Sequence, residues 1–162
     1  MTKLSIVKDR SLYKFIPLSR ERIDMAYALV RESSSPISLN QWRAYAQSLV
    51  SDADSNAPHV EGAEQRGIIV TEAPADYIRG LVAYHVCADL TVGKRLILDC
   101  IAVPDAFDRR AIANALSAEF DRFAKEMDCQ AIVITVEKYH AWLSPYFLAN
   151  GYGNAEIQVR FL

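Results

Sequence analysis

The sequence predicts an α/β (α+β) fold, a mixed and mostly antiparallel sheet with helices on both faces. Three observations carry that expectation. Residues 67–71 (GIIVT), 78–87 (IRGLVAYHVC) and 94–103 (KRLILDCIAV) are consecutive strand-forming runs, and the turn chemistry at 73–76 (APAD) and 89–93 joins them into an antiparallel meander. Downstream, Ile112, Leu116, Phe120, Phe123 and Met127 recur at helical spacing. Residues 131–136 (AIVITV) then form an unbroken apolar run, as a central parallel strand covered on both faces requires. Strand, helix and strand from 94 to 136 make one right-handed βαβ unit.

The remaining elements follow in order. Residues 13–17 (YKFIP) read as a short strand, and Ser19 can cap a helix in which Ile23, Ala26, Tyr27 and Val30 share a face. The break at 31–36 (RESSSP) ends it, and Ser38 with Gln41 forms a capping box that opens a second helix lined by Leu39, Trp42, Tyr45, Ala46 and Leu49. Residues 51–66 are polar, contain Pro58 and Gly62, and read as a mobile loop. After the βαβ unit, Ser144-Pro145 marks a cap with proline at the first helical position, and Gly151 stands where a glycine would end that short helix. Residues 156–161 (EIQVRF) are a last alternating strand, and the chain carries no repeats or low-complexity tracts.

A chain of 162 residues suffices for one domain with its own core. The net charge of −2, with both signs spread along the chain, argues against a general nucleic-acid binder, which carries a basic face, and leaves room for a local basic patch. Cys87, Cys100 and Cys129 lack zinc-site spacing and read as thiols of a reducing compartment. Three scattered histidines give no metal signal. The first ten residues (MTKLSIVKDR) have no apolar leader, and no run reaches membrane-spanning length, so a cytoplasmic protein without membrane association is expected.

The segment 96–116 (LILDCIAVPDAFDRRAIANAL) is the most informative. A strand feeds a helix through a small-residue turn, which leaves backbone N–H groups unpaired at the positive end of the helix dipole. Such a turn suits a phosphate, and Arg109 and Arg110 could add charge-assisted contacts. The other reading is an ordinary connection with solvated arginines. The order of elements resembles the GNAT superfamily of N-acetyltransferases over nearly the whole chain, most strongly from Leu81 to Tyr152.

The resemblance implies a parallel pair of strands splayed into a V that holds acetyl-CoA. It implies that the backbone of Ile101 and Val103 meets the acetyl and pantetheine groups, and that the turn cradles the pyrophosphate. The family pattern Gln/Arg-x-x-Gly-x-Gly/Ala is occupied by Asp108, Arg109, Arg110, Ala111, Ile112 and Ala113. Ala113 fits it; Ala111 replaces a glycine and Asp108 a Gln/Arg, so weaker CoA binding than in a typical member is expected. In the second signature His140 stands at an asparagine position, and Gly151-Tyr152 matches the Gly-Phe pair. The tyrosine that protonates the departing sulfur aligns with Phe147, which has no proton to give. Tyr146 is adjacent but about 100° round the helix, and is either its substitute or a packing residue.

Acetyl transfer to an amine also needs a proton acceptor. The family glutamate falls near Ile97, and Asp99 lies two residues on, on the same strand face. Asp99 is either that base, with a pKa raised by burial, or a carboxylate paired with Arg79, Lys94 or another cation. His85 on the neighbouring strand is a second candidate, or a satisfied half-buried histidine. His140 is expected at the cofactor or pocket edge. Tyr27, Arg31, Trp42, Tyr45 and the serines 33–35 occupy the family's acceptor side. One strand follows the short helix where the resemblance implies two, so a homodimer covering the open edge is expected. Two functions follow from the resemblance: an enzyme acetylating a primary amine of a small molecule or peptide, or an impaired module that binds CoA or a protein partner without turnover.

Overall fold

The computed structural model describes residues 13–33, 36–54, 65–73, 77–104, 108–153 and 157–160. The strands are β1 (Lys14–Pro17), β2 (Arg66–Ala73), β3 (Tyr77–Asp89), β4 (Gly93–Ala102), β5 (Ala131–Glu137) and β6 (Ile157–Arg160). The helices are α1 (Ile23–Ser33), α2 (Leu39–Asp54), α3 (Arg109–Glu126) and α4 (Ser144–Ala149). The strands form one sheet in sequence order. β1 to β4 pair antiparallel, while β4–β5 and β5–β6 are parallel.

Strand alternation sorts the core into two layers. On one face Leu81, Ala83 and Ala102 meet α1 and α2 through Ala26, Val30, Trp42 and Ala46. On the other, Val82, Leu96, Leu98 and Ile101 meet α3 and α4 through Ile112, Leu116, Phe120 and Phe147. The helices thus cover both faces, as expected.

The local signals resolve unevenly. The capping box forms, with Ser38 N–H donating to Gln41 Oε1 at 2.9 Å and Gln41 N–H donating to Ser38 Oγ at 3.2 Å. α4 ends in a Schellman motif, in which Gly151 (φ 94°) donates to Leu148 O and Tyr152 to Phe147 O, with the rings of Tyr152 and Phe147 5.5 Å apart. Ser19 does not cap: a 3₁₀ turn, Arg20–Arg22, intervenes before α1, and the serine makes no side-chain cap bond. Ser144 does not cap either, because a second 3₁₀ turn, Lys138–Leu143, already runs into α4 and leaves its buried Oγ without a partner. α2 continues to Asp54, past the expected loop start at 51; residues 55–64 and the turn 74–76 lie outside the described residues. β6 joins β5 in parallel, which makes a second βαβ unit, and it lies at the sheet edge.

Candidate active site

β4 and β5 are paired only from Arg95–Ala131 to Leu98–Ile134. Beyond that point β4 continues to Ala102 bonded to β3, and β5 continues to Glu137 bonded to β6. The two central strands therefore part into a V. The split coincides with a β-bulge: Ala83 pairs with Cys100 and Tyr84 with Leu98, which leaves Asp99 as the surplus residue. Val103, just past β4, turns its N–H and C=O toward the β5 side, where His140 Nε2 lies 3.2 Å from the nitrogen and 3.1 Å from the oxygen. Two residues earlier, Ile101 turns its own backbone groups the same way, into the V.

The start of α3 lies at the C-terminal end of β4. Asp108 caps it, its carboxylate accepting the Ala111 N–H at 2.9 Å. The negative end expected of a ligand is thus partly supplied by the chain's own side chain. Arg109 and Arg110 are exposed, and the Arg109 guanidinium stacks 5.4 Å over the Trp142 ring. Ile112 and Ala113 face the core. Residues 105–107 of the turn lie outside the described residues. On α4, Phe147 is fully buried between Phe120 and Tyr152, whereas Tyr146 is half-buried with its ring 6.4 Å from Trp142. Trp142 therefore links Tyr146 to the arginine at the head of α3.

His85 and Asp99 meet. Asp99 Oδ2 lies 2.5 Å from His85 Nδ1, with side chains 42% and 29% exposed. Asp99 is thus neither buried nor paired with Arg79 or Lys94. The carboxylate places the proton on Nδ1 and leaves Nε2 as the basic nitrogen. Both residues lie on the α1/α2 face, beside the split. Tyr45 of α2, 44% exposed, shares their electrostatic neighbourhood: partial burial first, then Cys100 and Asp99, pushes its hydroxyl up to about 12. Burial, reinforced by Glu137 and Asp99, likewise pushes the Cys100 thiol up to about 12. A thiol held protonated in this way is a poor nucleophile.

His140 is buried, and burial holds it below the usual imidazole range, against an opposing contribution from its bond to Val103. On the α1/α2 face, Trp42 and Tyr27 act as struts, donating to Ile23 O at 2.6 Å and Ile37 O at 2.8 Å, while Tyr45 and Arg31 are exposed. Ser34 and Ser35 lie outside the described residues, as does the side chain of Ser33. Two neighbours of the site escaped the sequence reading. Glu137 is signalled only as the first charge after the apolar run, and Trp142 by nothing in its spacing. A cleft of about 290 Å³ lined by Asp121, Lys125, Cys129 and Tyr152 lies at the other end of β5, away from the split. Among the described residues no helix is long and apolar enough to cross a membrane, and no cluster of metal ligands occurs.

No protein-family model matches the chain, and no curated protein matches it significantly. Solved structures do. The aminoglycoside N-acetyltransferase AAC(6′)-Iy, solved with CoA, superposes with a TM-score of 0.68 at 13% identity, covering 97% of this chain and 97% of that one. The aminoglycoside 6′-N-acetyltransferase AAC(6′)-Ih from Acinetobacter baumannii gives 0.66 at 14% identity, over 93% of this chain and 97% of that one. A GNAT family acetyltransferase from Staphylococcus aureus gives 0.59 at 12% identity, over 75% of this chain and 84% of that one. The protein has the fold of the GNAT N-acetyltransferases.

Proposed function

We propose that this protein is a cytoplasmic acyltransferase that moves an acetyl group from acetyl-CoA to a primary amine of a small molecule or peptide. The observation that supports it most is the parting of β4 and β5 after Leu98 and Ile134, which leaves Ile101 beyond the last β4–β5 pair. An amide so placed suits the oxygen of a thioester and the negative charge that grows on it during attack. Arg109 and Arg110 supply positive charge for a diphosphate at the head of α3, with Ala111, Ile112 and Ala113 as its first turn.

In this reading the amine approaches from the α1/α2 face. Its nitrogen bonds to the carbonyl carbon, the carbon–sulfur bond breaks, and the amine proton passes to His85 Nε2. Asp99 holds the imidazole in the required tautomer. The sulfur leaves as thiolate and takes its proton from Tyr146 or from water. The protonated Cys100 favours this direct transfer over an acyl-cysteine intermediate. A second copy of the chain would cover the edge strand β6.

Thermal unfolding with and without acetyl-CoA tests the donor. At a hundredfold over its dissociation constant the ligand adds about 2.7 kcal/mol, roughly 5–10 °C for a chain of this size. Release of free thiol across an amine panel then tests turnover. A shift without thiol release supports the non-catalytic module, which the Asp108 carboxylate on the Ala111 amide favours. No shift removes both CoA-dependent readings.

A further inference from the structure

His140 sits at the open end of the V, against Val103, and its ring is short of partners. One nitrogen, Nε2, faces both the N–H and the C=O of Val103, at 3.2 Å and 3.1 Å. In a neutral ring that atom either accepts or donates, so it can serve only one of the two at a time. The other ring nitrogen, Nδ1, is buried with no hydrogen-bond partner. Both residues are 2% exposed, so bulk solvent does not reach them. Buried polar groups are normally satisfied, and here one good hydrogen bond is spread over a donor, an acceptor and a second ring nitrogen.

An extended chain with two successive amides would do better. A trans amide points its C=O and N–H opposite ways, so the N–H of one amide and the C=O of the next would meet the two groups of Val103 together, as in a strand pair. The pantetheine arm of CoA contains two amides in succession. Resting on the donor reading proposed above, we infer that His140 is an internal stand-in for that pair. The imidazole occupies the Val103 groups that the donor arm pairs with, so ring and arm compete for a single seat. The ring must turn aside for the arm to bind in register, and the donor's affinity is lowered by the work of displacing it.

The test compares CoA with adenosine 3′,5′-bisphosphate, which has the nucleotide but no arm, by titration calorimetry on the wild type and His140→Ala. Displacing one modest hydrogen bond corresponds to about fivefold in affinity. The variant should therefore bind CoA about fivefold tighter and the bisphosphate unchanged. Unchanged or weaker CoA binding, with the bisphosphate unaffected, overturns the stand-in and makes His140 a plain strut. Because a buried histidine is replaced, a second measurement uses the wild type alone. In imidazole ¹⁵N spectra the His140 signals should move on adding CoA and stay in place on adding the bisphosphate. Identical responses to both ligands refute the inference. If CoA binds neither protein, the donor reading falls, and this inference with it.

Discussion

Replacing Asp108 by asparagine separates the two roles of this side chain. The carboxylate caps α3 through the Ala111 N–H at 2.9 Å, and it also sets a negative charge beside the seat proposed for a diphosphate. Asparagine caps a helix about as well as aspartate, so the first turn of α3 is retained. The helix dipole is the same in both proteins and cancels from the comparison. What changes is one charge. At a separation of about 6 Å, a carboxylate repels a doubly charged diphosphate by about 1.4 kcal/mol even at the permittivity of water, a factor of about ten in affinity. Calorimetry at low salt should therefore show CoA binding Asp108→Asn about tenfold tighter than the wild type. The gain should fade at 1 M salt, where the screening length is about 3 Å. Without ligand the unfolding midpoint should hardly move, whereas Asp108→Ala, which loses the cap as well, should fall by about 2–4 °C. Equal or weaker CoA binding by a stable Asp108→Asn protein would mean that the carboxylate does not face a diphosphate.

Four further outcomes are expected. His85→Ala should lower turnover about a hundredfold or more, and adding Asp99→Asn should cost little beyond that, because Asp99 acts through the ring; additive losses in the double variant would break the pair apart. Cys100→Ala should keep its turnover, and a dead variant would restore the acyl-cysteine route. Phe147→Tyr should destabilise the protein by about 1–3 kcal/mol without raising turnover, since its new hydroxyl would lie in a dry core between Phe120 and Tyr152; a faster enzyme would contradict this. Asp89 is held down to about 2, chiefly by the Thr91 hydroxyl, then by the amides of Val92 and Thr91 and by Arg95. Its stabilisation is whole above the ordinary carboxylate range and is lost as pH falls toward 2. The gap in unfolding midpoint between the wild type and Asp89→Asn should thus be open at pH 6 and close between pH 4 and pH 2.

Periodicity and turn chemistry made the sheet and its helices legible, because burial on two faces leaves a repeating mark on each strand. Gly151 and the Ser38–Gln41 pair were legible for the same reason: their bonds lie within four residues of sequence. The 3₁₀ turn at 138–143 was not, since its buried His140 is stabilised by Val103, 37 positions away. The meeting of His85 with Asp99 was equally hidden. His85 pairs with Ile97, and Asp99 meets it diagonally across the strands, beside the bulge. Parallel pairing of β6 could not be read from four alternating residues, which serve either direction.

That surplus residue has a consequence for how this protein could change over time. Asp99 is at once the surplus residue where the sheet parts and the acid beside a neighbouring ring. A point substitution would silence the acid and leave the bulge in place. Loss of a single codon at the same position would remove the acid and the bulge together.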